Sequence, residues 1–190
     1  MSLAGFLRQV VEVLEDAGIP YMLTGSLASA YYATPRATQD IDLVIDAGAE
    51  ALERAVAGLG EAGYYVDRGA ALEALESHGQ FNAIDASAGW KVDFIIRKDR
   101  AFSRTEFERR ETASLLGVDV SLASLEDVLI AKLEWSKLGD SELQRRDVVQ
   151  LLERAGPRLD MPYVERWVAA LDLSEEWDDA KQRVSGDDVS

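Results

Sequence analysis

Apolar residues at positions 3, 6, 7, 10, 11 and 14 fall on one side of a helix, so the chain opens with an amphipathic surface helix. Its charges lie inside that helix rather than ahead of an unbroken apolar stretch, which separates it from an export signal. After Gly18-Ile19-Pro20, the short apolar run from Tyr21 to Leu23 reads as a strand that breaks at Gly25 and turns into a helix near Ser26. Residues 40–45 alternate carboxylate, Ile, carboxylate, Leu. In a strand this places Asp40 and Asp42 on one face, with Ile41 and Leu43 on the other. The pattern then predicts a helix over 49–62 stopped by Gly63, a short strand over 64–66 and a short helix over 70–76. A strand pair follows over 80–86 and 90–96, joined by Ser87-Ala88-Gly89, with one more strand over 115–120. Beyond it the periodicity is helical over 125–138, 141–155 and 163–171, ending in an acidic, frayed tail from Ser174. The expectation is an α+β chain, a mixed sheet flanked by helices and followed by a C-terminal helical segment. Its parts are a sheet domain over 1–118, a helical subdomain over 119–173 and the tail over 174–190.

Composition narrows the function. Hydrophobic residues make up 47% and charged residues 29% of 190, ordinary for a soluble globular protein, and no apolar run reaches membrane-spanning length. There is no cysteine, which removes disulfide frameworks and thiolate zinc sites and makes a cytoplasmic home the expectation. The net charge of −15 argues against a broad grip on duplex nucleic acid, whose affinity comes from lysine and arginine displacing counter-ions. Arg97, Lys98, Arg100, Arg104, Arg109 and Arg110 form the one basic window. It reads as a solvated face, the alternative being a local patch that holds a strand.

The chemistry concentrates at two places. A helix that starts at Gly25-Ser26 presents free backbone amides to an anion. Two carboxylates on one strand face repel unless a cation neutralises them, and their hard oxygens suit Mg²⁺ completed by substrate phosphates. Asp93 interrupts the apolar strand Trp90-Lys91-Val92-Asp93-Phe94-Ile95-Ile96 as a third acid. It is placed either to complete a two-metal site or to take a proton from an attacking hydroxyl. The implied reaction is phosphoryl or nucleotidyl transfer. Arg36, in the loop before Asp40, is a candidate bidentate phosphate clamp or an ordinary surface arginine.

Gly25-Ser26, then Arg36-x-Thr38-x-Asp40-Ile41-Asp42-Leu43, then Val92-Asp93-Phe94, resembles the nucleotidyltransferase superfamily of the DNA polymerase β type. Within it the pattern is similar to the small bacterial branch of minimal nucleotidyltransferases, aminoglycoside nucleotidyltransferases and AbiEii-type toxins. The resemblance covers residues 20–96 with specific motifs and the helical part to 155 more weakly. It implies a nucleotidyltransferase-like catalytic domain with Gly25, Ser26, Arg36 and Thr38 toward a nucleoside triphosphate and Asp40, Asp42 and Asp93 on Mg²⁺ or Mn²⁺. It also implies transfer of a nucleoside monophosphate to a hydroxyl of tRNA, protein or a small molecule, with an antitoxin partner in the toxin case. A catalytically inactive nucleotide-binding or interaction module of the same fold is the alternative. The chain departs from many relatives at Thr24, where they carry a further glycine, and is shorter than most such toxins.

Lys132 falls in the middle of the apolar face Leu125, Val128, Leu129, Leu133, and Asp147 lies between Leu143 and Leu151 at four-residue steps. They either pair across a helical hairpin or both line the cleft facing the sheet. The resemblance implies the second, with Lys132 on the triphosphate and Asp147 assisting catalysis. His78, the only histidine, reads as a surface residue, and Trp135, Trp167 and Trp177 as packing anchors.

Overall fold

The computed structural model describes residues 1–33, 38, 40–139 and 141–187. The chain forms two compact units, Met1–Leu27 with Ala37–Ala123, and Ala28–Arg36 with Ser124–Ser190.

The first unit is built on a mixed sheet. Its elements are α1 (Leu3–Asp16), β1 (Tyr21–Thr24), the start of α2 (Gly25–Tyr32), β2 (Asp40–Ile45), α3 (Ala49–Glu61), β3 (Tyr65–Val66), α4 (Arg68–Ser77), β4 (Gln80–Asp85), β5 (Trp90–Ile96), α5 (Ala101–Glu108), β6 (Glu111–Leu115) and β7 (Val118–Leu122). The strand order is β3-β4-β5-β2-β1-β7-β6, with β2 parallel to β5, β1 parallel to β7 and the other neighbours antiparallel. Period-two alternation divides the centre of the sheet cleanly. Ile41, Leu43, Ala83, Val92 and Phe94 are fully buried, and Phe81 stacks on Phe94 at 4.9 Å. α1 buries Phe6, Leu7, Val10, Val11 and Leu14, the stripe expected from its spacing, and packs on α3. At the alternate positions Asp40 is exposed and Asp42, Lys91 and Asp93 are half-exposed, while Val44 and Met22 are buried, so the second face is polar at the end that carries the acids.

One part of this unit differs from the expectation. The single strand over 115–120 is instead the hairpin of β6 and β7, turning at Leu116 and Gly117, whose φ angles are 54° and 74°. Two consecutive left-handed residues make the tight turn that suits strand twist, and a leucine at the first of them hides the signal. The basic window contains α5, with Phe102 and Phe107 buried beneath it. Arg97 and Arg110 lie over the Phe107 ring, Arg100 lies over Phe102, Arg97 pairs with Asp46 at 3.1 Å, and Arg104 pairs with Asp99. Arg97, Arg100 and Arg110 thus lay their guanidinium groups over phenyl rings, while Lys98 and Arg104 are exposed, as a solvated face requires.

The second unit is helical, with α6 (Leu125–Gly139), α7 (Glu142–Ala155), a short 3₁₀ turn at Gly156–Arg158, α8 (Met161–Ala170) and α9 (Ser174–Asp187). α6 packs on α7 and α8, and α9 packs on α7. Ser124 starts α6, accepting from the Asp127 amide at 3.3 Å and donating to Asp127 Oδ2 at 2.6 Å, while the Tyr163 hydroxyl donates to Asp127 Oδ1 at 2.5 Å. The segment read as a frayed acidic tail is α9. Leu173, Trp177 and Ala180, at helical spacing, are buried, a stripe that acidic composition conceals. Trp177 is the packing anchor expected, whereas Trp135 is 48% exposed. Leu143 is also exposed, so Asp147 is buried beside Val148 and Leu151 instead. Among the described residues no helix is long and apolar enough to cross a membrane.

Candidate functional site

The polar face of the sheet takes its chemistry from strand register. β2 and β5 run parallel with Asp40 beside Lys91 and Asp42 beside Asp93. On the outer sides Thr24 of β1 lies beside Asp42, and Asn82 of β4 beside Asp93. Cross-strand neighbours share a face, so Thr24, Asp42, Asp93 and Asn82 form one row and Asp40, Lys91 and Ile84 the next. The three aspartates of the sequence pattern are therefore brought to one surface by two adjacent strands.

Gly25 is demanded twice. Its φ is +66°, a region that side chains rarely adopt, and a Cβ built there would fall 2.8 Å from the Cβ of Asp42. The glycine thus lets the start of α2 close on the carboxylate, and the Ser26 amide donates to Asp42 Oδ2 at 3.4 Å. Thr38 secures the other end of β2. Its hydroxyl donates to the Asp40 carbonyl at 3.2 Å and accepts from the Asp40 amide at 3.3 Å. Arg36 lies outside the described residues. His78 ends α4 in the left-handed region, its Nδ1 2.9 Å from the Arg97 carbonyl.

Lys91 occupies the middle of this surface. Its Nζ lies 2.7 Å from Asp93 Oδ2 and 3.6 Å from Asp40 Oδ1, and its side chain is 35% exposed. The hydrogen bond to Asp93 pushes the Lys91 ammonium above its usual range, the Asp93 and Asp40 charges adding to the effect against partial burial. Sequence reading gave Lys91 and Asn82 no role. The signal for Lys91 was its two-residue step from Asp93, and that for Asn82 emerges only from the β4–β5 register. Among the described residues no three acidic side chains converge as a ready-made metal cage. The donor set does fit a hard divalent ion in kind, being carboxylates on one half-exposed face beside a backbone cleared of side chain at Gly25.

Lys132 and Asp147 belong to the second unit and meet each other there. Lys132 Nζ donates to Asp147 Oδ2 at 2.7 Å and to Gln144 Oε1 at 3.0 Å, and the two charged side chains are 4% and 5% exposed. Of the two arrangements open to sequence reading, the observed one is the pair between helices. Gln144, one turn before Asp147, was not foreseen.

No family model and no curated protein matches the sequence. Solved structures do. The antibiotic-resistance factor ANT(2'')-Ia in solution is 16% identical, at a TM-score of 0.57 over 90% of this chain and 96% of that one. The same factor crystallised with adenylyl-2''-tobramycin is 14% identical, at a TM-score of 0.57 over 96% of this chain and 99% of that one. The lincosamide antibiotic adenylyltransferase LnuA, with lincomycin bound, is 15% identical, at a TM-score of 0.53 over 80% of this chain and 96% of that one. The chain has the nucleotidyltransferase-like fold, a mixed sheet flanked by helices.

Proposed function

We propose that the polar face of β2 and β5 is the active site of a metal-dependent nucleotidyltransferase. The observation that carries this is the in-register placement of Asp42 beside Asp93, next to Asp40 and to the helix start at Gly25-Ser26, on a fold shared with adenylyltransferases. Asp40, Asp42 and Asp93 would hold Mg²⁺ or Mn²⁺, whose chemistry is to polarise the phosphoryl oxygens and offset their charge. The start of α2 at Gly25-Ser26 would present backbone amides to a triphosphate, the Ser26 amide donating to Asp42 Oδ2 meanwhile. Thr38 sets the backbone of Asp40. Arg36 is assigned to the phosphates by resemblance alone. The Asp93 carboxylate takes the proton of an acceptor hydroxyl as its oxygen bonds to the α-phosphorus, and the bond from that phosphorus to the bridging oxygen breaks. Pyrophosphate departs with the electron pair. Lys132 and Asp147 are read as structural, since each has its partner inside the second unit.

The acceptor favoured is a cationic small molecule. A chain of net charge −15 draws a cation toward an anionic surface, and the tobramycin and lincosamide enzymes are built on the same fold. A toxin-like role, with a tRNA or protein hydroxyl as acceptor and an antitoxin as partner, rests on the sequence resemblance. The test is thermal unfolding with Mg²⁺ and each nucleoside triphosphate, on the wild type and on Asp42→Asn. A ligand at a hundred times its Kd adds about 2.7 kcal/mol, a shift of several degrees at this size. A metal-dependent shift absent from Asp42→Asn, followed by nucleotide transfer to an aminocyclitol-type amine-bearing acceptor, is the result expected. No shift with any triphosphate would leave the inactive-module alternative standing in its place.

A further inference from the structure

Three aspartates on one half-exposed sheet face call for positive charge, and the face supplies some of its own. Lys91 stands at a strand position from which its side chain must rise on the same side as Asp93, two residues on, and Asp40, directly across the parallel pair. Its ammonium sits 2.7 Å from Asp93 Oδ2 and 3.6 Å from Asp40 Oδ1. The contact uses an oxygen of the carboxylate that the proposed chemistry needs both for the metal and for the acceptor proton. A divalent ion arriving alone therefore meets a carboxylate already paired and a like charge within a few ångströms. A triphosphate brings what the ion lacks, an anion for the lysine to turn to.

We propose that Lys91 is a resident counter-ion of this face. It holds Asp93 in an ion pair while the site is empty, suppresses metal binding in the absence of nucleotide, and passes to the triphosphate when nucleotide and metal arrive together. The inference rests on the active-site reading above and adds an order to it: metal alone binds weakly, and nucleotide carries metal in. By linkage, whatever one ligand gains from the other is returned equally.

The test measures Mn²⁺ binding by electron paramagnetic resonance, without nucleotide, in the wild type, Lys91→Met, Lys91→Arg, Lys98→Met and Asp42→Asn. Inorganic tripolyphosphate binding without metal is measured alongside, and circular dichroism confirms folding. The result expected is a rise in Mn²⁺ affinity of about tenfold in Lys91→Met, with tripolyphosphate affinity falling by a similar factor. Lys91→Arg, which keeps the charge, stays near the wild type, and so does Lys98→Met, which removes an exposed charge just past β5. Two results would overturn the inference while leaving the site intact. One is Mn²⁺ lost in Asp42→Asn but bound no more tightly in Lys91→Met than in wild type. The other is Lys98→Met matching Lys91→Met. Mn²⁺ binding indifferent to Asp42→Asn, or absent from every variant, would remove the active-site reading and the counter-ion with it.

Discussion

Among the described residues, two lysine–aspartate pairs of the same length, 2.7 Å, have opposite meanings. Lys132 and Asp147 face each other almost fully buried, and Lys132 also donates to Gln144. Lys91 faces Asp93 and Asp40 together, with Asp42 on the same face, and its side chain is about a third exposed. In the first pair, removing the carboxylate strands the lysine ammonium out of water. In the second, the acids outnumber the cation and water reaches the contact, so the partner can be exchanged. Distance alone does not distinguish a structural pair from an exchangeable one. Burial and the local balance of charge do.

The largest effect should come from breaking the buried pair. Asp147→Ala leaves the Lys132 ammonium facing only Gln144, and should cost about 3–5 kcal/mol in urea unfolding. The double variant Lys132→Met with Asp147→Leu should recover most of that loss, because two apolar chains need no partner. A loss below about 1 kcal/mol for the single variant would place this pair in the same class as a surface one.

Why the sequence disclosed one of these pairs and not the other follows from what each depends on. Lys132 and Asp147 are anomalies against a helical apolar stripe, and such anomalies show in one dimension. Asp40, Asp42 and Asp93 likewise show as acids breaking apolar strands, with Ile41, Leu43, Val92 and Phe94 marking the buried face. The Lys91–Asp93 pair follows from a two-residue step on β5 that an alternating strand makes commonplace, whereas the Lys91–Asp40 contact depends on the β2–β5 register, and no local pattern within either strand encodes which residue lies across. Asn82 was hidden for the same reason. α9 was missed because Leu173, Trp177 and Ala180 are spread among acids, and the β6–β7 hairpin because Leu116 rather than a glycine takes the first left-handed position. The sheet architecture followed from resemblance, and the solved structures of the same fold bear it out.

Gly25→Ala sharpens the comparison from the backbone side. Left-handed φ and the close approach to Asp42 together should cost about 2 kcal/mol. Any triphosphate-dependent stabilisation should also be lost, since the start of α2 must move. Gly63→Ala is the control. Its φ is +87° but nothing lies within 4 Å, so the cost should be near 1 kcal/mol with nucleotide binding intact. Equal losses in the two variants would show that the approach to Asp42 has no energetic weight. Lys91→Met should change stability by less than about 1 kcal/mol, because the pair is exposed enough for solvent to screen it. A loss on the scale of Asp147→Ala would erase the contrast between the two pairs.

Asp85 gives the smallest effect and asks whether a carboxylate here needs a cation at all. It is a buried acid at the end of β4, and one oxygen accepts from the Ser87 hydroxyl at 2.6 Å, the Ser87 amide at 2.9 Å and the Ala88 amide at 3.2 Å. The Ser87 hydroxyl is the main cause of a pKa below the ordinary 3.8; burial opposes it, and the two amides and the N-terminal charge support it. A folded-state pKa below the unfolded one means the charged form favours folding. That contribution is complete above 3.8 and is lost as pH falls from there through the depressed value. Asp85→Asn keeps an acceptor but removes the charge. The thermal midpoint of the wild type should therefore exceed that of the variant by a constant margin from neutral pH down to about 5, and the margin should shrink below 3.8. A margin that instead grows on acidification would mean that burial outweighs the turn's donors.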